Sequence, residues 1–232
     1  MTDIHCHVLP EMDDGSRSVE ESVAMLEALS AQGVGCVAAT PHFYAMENSP
    51  EEFLRRRETA VRRLRECWKP GLPALRLGAE VYYYQGISQY EELERLSIEG
   101  TRLLLLEMPF ERWTSQMLRE VQEIQCRGGI TVVLAHIERY LRWQDRDVWT
   151  ALLEWGVLCQ SNAEFFLELR TRRKALHMLR EGRIHLLGSD SHDMESRPPR
   201  LGLAYSRLEA RDRAVLEENN QKYLPDWKEA AG

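Results

Sequence analysis

No apolar run in this chain approaches the ~20 residues needed to cross a bilayer, so no membrane insertion is expected. A basic excess is also missing. Thirty Lys and Arg against 37 Asp and Glu leave a net charge of −7, which argues against a nucleic-acid partner. The same charge disfavours anionic substrates unless bound cations reverse its sign locally. Cysteine is sparse and odd in number: Cys6, Cys36, Cys67, Cys126 and Cys159, with no CxxC. That excludes a disulfide framework and reads as a reduced, cytoplasmic protein with buried thiols. None of the five starts a Cys-x₅-Arg loop, because the sixth positions onward hold Met12, His42, Pro73, Val132 and Phe165. Cysteine-based phosphate chemistry is therefore excluded. GxSxG, the P-loop and HExxH are absent too. Residues 33–38 fit a loose GxGxxA, but the segment leaves a helix and enters a strand, the reverse of the dinucleotide-binding order. Met1 is followed almost at once by a candidate ligand motif, so no signal peptide is expected.

What is present is alternation. Strand-like apolar runs occupy 2–5, 34–40, 74–81, 102–107, 130–136, 157–161 and 184–189. Between them lie amphipathic segments. Ser18, followed by Glu20 and Glu21, is expected to cap a helix to about Gln32, closed by Gly33. Further helices are expected over 51–68, 115–127, 147–155 and 163–181, with a final one over 201–208. Strands alternating with helices predict parallel βα units, and near-continuous apolar strands predict burial on both faces. No linker, repeat or low-complexity tract interrupts the pattern, so one domain over 1–232 is expected.

Six of the seven runs end in a metal-type ligand. The segments are Asp3-Ile4-His5-Cys6-His7, Thr40-Pro41-His42, Gly78-Ala79-Glu80, Leu105-Leu106-Glu107, Leu134-Ala135-His136 and Gly188-Ser189-Asp190-Ser191-His192. One histidine after a strand carries little weight. Six such ends meet only if the strands stand side by side in a barrel, whose C-terminal strand ends form the active face. Alternation puts His5 and His7 on one face, with Asp3 beside them as a candidate partner for a second ring nitrogen. Glu80 and Glu107 close apolar runs, where an unpaired carboxylate would be costly. His177 falls in a helix and His185 at the wrong end of a strand, so both are left out. Imidazole mixed with carboxylate suits Mn, Fe or Zn in an open polynuclear site.

These residues resemble the polymerase-and-histidinol-phosphatase (PHP) superfamily of metal-dependent phosphoesterases. Within it the match is to bacterial protein-tyrosine phosphatases of the CpsB/CapC/YwqE type, which accompany capsule and exopolysaccharide tyrosine kinases. DIHCHVLPEMDDGSRSVEES (3–22), GAEVYY (78–83), LLLEMP (104–109), AHIERY (135–140) and SDSHDMESRPP (189–199) carry the resemblance. It implies a distorted (β/α)₇ TIM-like barrel, the PHP fold, holding three divalent ions, with manganese expected and iron or zinc as alternatives. It places His5, His7, Glu80 and Asp190 on the first ion, and Glu80 (bridging), Glu107 and His136 on the second. The third takes Asp14, His42 and His192, with Asp13 as an alternative to Asp14. Arg139 and Arg197 match the phosphate-binding arginines.

The implied reaction is hydrolysis of protein phosphotyrosine by a metal-bridged hydroxide, on a capsule or exopolysaccharide tyrosine kinase. The alternative is a small-molecule phosphoesterase such as a histidinol-phosphate phosphatase. A phenol, with a pKa of ~10, leaves with modest help. Asp193 and Tyr140 are the candidates for any general acid. The arginines of the second helix (Arg55, Arg56, Arg57, Arg62, Arg63 and Arg65) are expected to form a solvated face.

Overall fold

The computed structural model describes residues 1–225; positions 226–232, the end of the expected domain, lie outside the described residues. In chain order the elements are β1 (Thr2–Cys6), α1 (Val19–Ala31), β2 (Cys36–Ala39), β3 (His42–Phe43), α2 (Pro50–Glu66), β4 (Ala74–Leu77), β5 (Glu80–Tyr82), β6 (Leu103–Glu107), α3 (Ser115–Cys126), β7 (Thr131–Leu134), α4 (Arg146–Glu154), β8 (Leu158–Asn162), α5 (Ala163–Leu167), α6 (Arg172–Arg180), β9 (Leu186–Gly188), α7 (Leu201–Ser206) and α8 (Ala210–Tyr223). The fold is α/β, with strands paired in the orders β1-β2-β4 and β3-β5-β6-β7-β8-β9. Every pairing is parallel.

The two sheets are pieces of one curled parallel sheet. β2 runs into β3, and β4 into β5, across breaks at Thr40-Pro41 and Gly78-Ala79. Pro41 has no N–H for the ladder, while its carbonyl accepts from the Glu80 N–H at 3.1 Å. The expected strand over 74–81 is thus two short pieces. His42 and Glu80 stand at the starts of the second pieces and pair with each other. Past β9 the chain returns to β1: Asp190 N–H donates to the His5 carbonyl at 2.7 Å, and His7 N–H to the Ser191 carbonyl at 2.9 Å.

Both faces of the sheet are dry, which explains the continuous apolar runs. In β6, Leu104 and Leu106 belong to the cluster under the helices, while Leu103 and Leu105 belong to a second cluster with Ile4, Ala38, Val133, Ala135 and Leu186. Alternation then carries Glu107 to the same side as Leu103 and Leu105. Histidine and carboxylate side chains sit on the rim above this second cluster.

The expected helix over 163–181 is broken. The Thr171 hydroxyl donates to the Phe165 carbonyl at 2.8 Å, ending α5 and starting a new turn before α6. Ser18 caps α1 as expected, accepting from the Glu21 N–H at 3.2 Å. The arginines of α2 are not all solvated: Arg57 turns inward to donate to the Gly78 carbonyl at 2.6 Å, and Arg56 donates to the Met12 carbonyl at 2.9 Å. α8, which the sequence pattern did not bring out, docks through a two-pronged pair in which Arg180 donates to both Asp212 oxygens at 2.7 and 2.8 Å. Cys6, Cys36 and Cys159 are buried thiols; Cys67 and Cys126 are exposed, against the expectation drawn from apolar context. Among the described residues no helix is long and apolar enough to cross a membrane.

The two histidines left out of the site lie away from it. His177 is exposed beside Glu181. His185 accepts the Cys159 N–H on Nδ1 at 3.0 Å. Burial, with the Lys222 charge adding to it, pushes the His185 pKa down to about 4. The unfolded chain therefore takes up a proton near pH 6.5 that the folded chain refuses until about 4. The linked stability is complete above pH 6.5 and drains as the pH falls, by ~2 kcal/mol at pH 5. Urea unfolding at pH 7 and pH 5 should reveal this loss, and His185→Gln, which keeps an acceptor without a titrating ring, should reduce it by about that amount. An unchanged slope in that variant would refute the assignment.

Candidate metal centre

Regular alternation aims Glu107, but several other side chains of the centre are aimed by local departures from regular strand. In β1 the pairing register shifts between Asp3 and Cys6, and an irregularity of this kind re-aims side chains. Ile4 packs in the second cluster, whereas His5 and His7 both face the rim and Cys6 joins the outer core. His136 (φ 32°) and Asp190 (φ 51°) have left-handed backbones, a conformation that costs a non-glycine residue energy and collects at functional sites. For His136 the turn matters: Ala135 already points to the inner cluster, so a continued strand would send position 136 the other way. Two glycines permit the crowding. A Cβ on Gly188 would lie 2.5 Å from His5 Cβ, and one on Gly15 would lie 2.4 Å from the His7 carbonyl oxygen.

The nine side chains come together. Glu80, buried, is the hub. Its Oε2 lies 3.1 Å from His5 Nε2, 3.2 Å from His7 Nε2 and 3.1 Å from His42 Nδ1, and its Oε1 lies 2.9 Å from His136 Nε2. Glu107 reaches His136 at 3.2 Å and His42 at 3.8 Å. Asp190 Oδ1 lies 3.5–3.6 Å from His5, His7 and His192. Asp14 stands over the far end, 3.4 Å from His192 and 3.7 Å from His42. Three groups have ligand atoms within 4.8 Å of one another: His7 with Asp14, His42 and His192; His5 with His7 and Asp190; and His42 with Glu80 and Glu107.

The donor set fits cations. His42 Nδ1 and His192 Nε2 are buried and make no hydrogen bond, a costly arrangement for ring nitrogens unless something takes their lone pairs. His5 Nε2 and His7 Nε2 face each other at 3.1 Å. Four carboxylates and five imidazoles pointing at a common space form an open nitrogen–oxygen site for divalent ions.

A surrounding layer fixes the rings. Asp13 Oδ2 binds His7 Nδ1 at 2.7 Å and accepts the His42 N–H at 2.8 Å. Asp13 thus orients His7 and leaves Asp14 to face the centre. Gln160 Oε1 accepts the His136 N–H at 2.7 Å and contacts His5 Nδ1 at 3.2 Å. Asn162 donates to Asp190 Oδ2 at 2.7 Å. Asp3 does not bind an imidazole as the sequence suggested; its Oδ1 accepts the backbone N–H groups of His5 and Ser189 at 3.2 and 2.8 Å. Burial pushes its pKa up to about 6. Burial opposes charge on His7, yet the Asp13 charge and hydrogen bond hold its pKa well above the ordinary value. His136 is likewise raised to about 9, because bonds to Glu107 and Glu80 outweigh desolvation. Burial and the His7 charge push His192 down to about 4.

Arg139 and Arg197 converge on one atom. Both Nη2 atoms lie 2.6 Å from Asp190 Oδ2, at the edge of a cleft of about 350 Å³ that runs on to Glu164, Phe165, Thr171 and Arg200. The two acid candidates are occupied otherwise. The buried Tyr140 hydroxyl accepts the Met108 N–H at 3.0 Å. Asp193 accepts the N–H groups of Glu195, Ser196 and Arg197, bonds that outweigh desolvation and lower its pKa. It shapes the turn that presents Arg197.

Residues 1–222 match the family model described as capsular polysaccharide synthesis, CpsB/CapC. The tyrosine-protein phosphatase CpsB of Streptococcus pneumoniae is 31% identical over 216 residues, covering 88% of each chain. The tyrosine-protein phosphatase YwqE of Bacillus subtilis (strain 168) is 29% identical, over 85% of this chain and 79% of its own. Among solved structures, one described as YwqE from Bacillus subtilis and CpsB from Streptococcus pneumoniae, metal-dependent tyrosine phosphatases, superposes with a TM-score of 0.81 at 24% identity, covering 97% of this chain and 95% of that one. At that identity it speaks to the fold.

Proposed function

The chain belongs to the CpsB/CapC family, and from that premise we propose that it is a metal-dependent protein-tyrosine phosphatase. The observation that carries the reading is the convergence of five imidazoles and four carboxylates beside two arginines that share Asp190. In this reading His5, His7, Glu80 and Asp190 hold one ion, Glu80, Glu107 and His136 a second, and Asp14, His42 and His192 a third, with manganese the expected metal. His7 also reaches toward the third group. Bound divalent ions supply Lewis-acid charge and a water acidified toward neutrality.

The chain's own groups do the rest. Asp13 and Gln160 hold His7 and His5 by one ring nitrogen, so the other faces the centre. Asp190 keeps Arg139 and Arg197 side by side. Guanidinium forks match phosphate oxygens in planar geometry, and their remaining N–H groups hold the phosphoryl group and neutralise its charge as the bond breaks. Asp193 is engaged in its own turn and Tyr140 in a buried bond to Met108, so neither is assigned as a side-chain acid. A phenolate needs less protonation than an alkoxide to leave.

The finer architecture proposed is a single domain built as a distorted (β/α)₇ barrel. Counting each broken strand once gives seven strand runs, and backbone bonds link the end of β9 to β1. The proposed setting is the cytoplasm, and the proposed protein substrate is a capsule or exopolysaccharide tyrosine kinase.

Chelation tests the reading. Excess EDTA should abolish phosphate release from an aryl phosphate and from a phosphotyrosine peptide, and manganese should restore it. Alkylation of the exposed Cys67 and Cys126 should leave the rate unchanged. Full activity in protein stripped of metal, verified by elemental analysis, would overturn the assignment. Faster turnover of histidinol phosphate than of the peptide would favour the small-molecule alternative.

A further inference from the structure

Phe110 is a large apolar side chain left 44% exposed at the edge of the centre. It follows β6 by three residues, just beyond Glu107. Its ring lies 5.8 Å from the His136 ring and is stacked on Tyr140 at 5.6 Å with 24° between planes. The Arg139 guanidinium sits over the same ring, 6.0 Å from its centroid. Phe110 therefore touches the surroundings of a metal-type ligand and of a phosphate-type arginine at once. Tyr140 beneath it is fully buried and pinned by the Met108 N–H, which gives the exposed ring a rigid backing.

We propose that Phe110 is the substrate-binding residue that receives the aromatic ring of the leaving group and makes the site prefer aryl over alkyl phosphates. This rests on the phosphatase reading and specifies its substrate side. In an aryl phosphate one oxygen separates phosphorus from the ring. A phosphoryl group held by Arg139 thus places its ring beside Arg139, where Phe110 presents an exposed aromatic side chain; Phe165, which also lines the cleft there, is buried. Offset or tilted ring pairs are favourable beyond the apolar area they bury. An alkyl chain of a phosphoserine residue offers no such face. The preference then has two sources, leaving-group chemistry in the rate and Phe110 in the binding.

Phenylphosphonate and methylphosphonate separate the two, because neither is hydrolysed and they differ only in the group on phosphorus. Calorimetry on the manganese-loaded protein should give about tenfold tighter binding of the phenyl compound. In Phe110→Ala that ratio should fall toward one with methylphosphonate affinity unchanged, and Phe110→Trp should preserve it. In steady-state assays Phe110→Ala should raise KM for a phosphotyrosine peptide about tenfold with kcat little altered. A ratio unaffected by Phe110→Ala would overturn the proposal. So would a parallel loss of methylphosphonate affinity, which would mean that Phe110 only positions Arg139. Wild-type, metal-loaded protein that binds both phosphonates but releases no phosphate from any aryl ester would instead overturn the phosphatase reading beneath it.

Discussion

Glu80→Gln should leave a folded protein with almost no turnover. The substitution keeps shape and removes one charge from the residue that four imidazoles surround. His5, His7, His42 and His136 are brought within hydrogen-bond distance of one carboxylate, so that charge is shared by every group of the centre it touches. Burial opposes ionisation of Glu80, but the His5 charge and bonds from His136, His5 and His7 hold its pKa well below the usual carboxylate range. It is an anion at any working pH. Losing it should lower kcat/KM by on the order of 10²–10³-fold, the scale of losing one preorganised electrostatic partner of a transition state. Metal content per chain should fall in the same preparation. Circular dichroism would verify the fold, elemental analysis the metal, and an aryl phosphate assay the rate. A Glu80→Gln enzyme with wild-type kcat/KM would remove Glu80 from the centre.

Gly188→Ala should be nearly as damaging, although it adds one methyl group and changes no charge. The new carbon would sit 2.5 Å from His5 Cβ, 3.0 Å from Gln160 Nε2 and 3.1 Å from the His5 backbone nitrogen. The two His5 atoms belong to the backbone or sit at its root, and Gln160 Nε2, though the end of a side chain, is tied to Asn162 Oδ1 at 3.0 Å. β1 and β9 must part, or His5 must move away from Glu80 and Asp190. Overpacking of this kind costs about 1–3 kcal/mol, and a displacement of order 1 Å in a reacting centre costs about 10²-fold in rate. Denaturant unfolding and kinetics on one preparation would read both losses. Unchanged stability together with unchanged rate would show that the strands yield without moving His5.

Most of the centre was legible because of where its residues fall in the pattern. A carboxylate after four leucines, as at Glu107, or a histidine after Thr131–Ala135, has no cheap place in a dry core, so its position at a strand exit is informative. The interruptions were not legible. Thr40-Pro41 and Gly78-Ala79 divide runs whose apolar pattern is continuous: Pro41 offers no N–H to the ladder, while the Thr40 N–H still reaches the Cys6 carbonyl and the Glu80 N–H the Pro41 carbonyl, contacts made with distant chain. The same holds for the shift within β1 and for the break that Thr171 makes between α5 and α6. Asp13 and Asp14 are neighbours in one turn, and only the 2.7 Å contact of Asp13 with His7 tells orienting group from candidate ligand. Gln160 and Asn162 were missed as supports. The available signal was their strand, the one without an ionisable ligand at its exit, whose polar end alternates Gln160 and Asn162 on one face.

The bonds that tie β1 to the segment after β9 also set a schedule for biosynthesis. Cys6 and Ser191 are 185 positions apart in sequence yet bridge each other. A chain emerging from the ribosome exposes His5 and His7 early and must wait for Asp190 and His192 before those imidazoles meet their partners. Long-range closure of this kind is slow compared with local helix formation. Nascent and truncated forms ending before β9 lack the last strand and two of the nine converging side chains. Competence therefore arrives late and all at once, only after synthesis has passed His192.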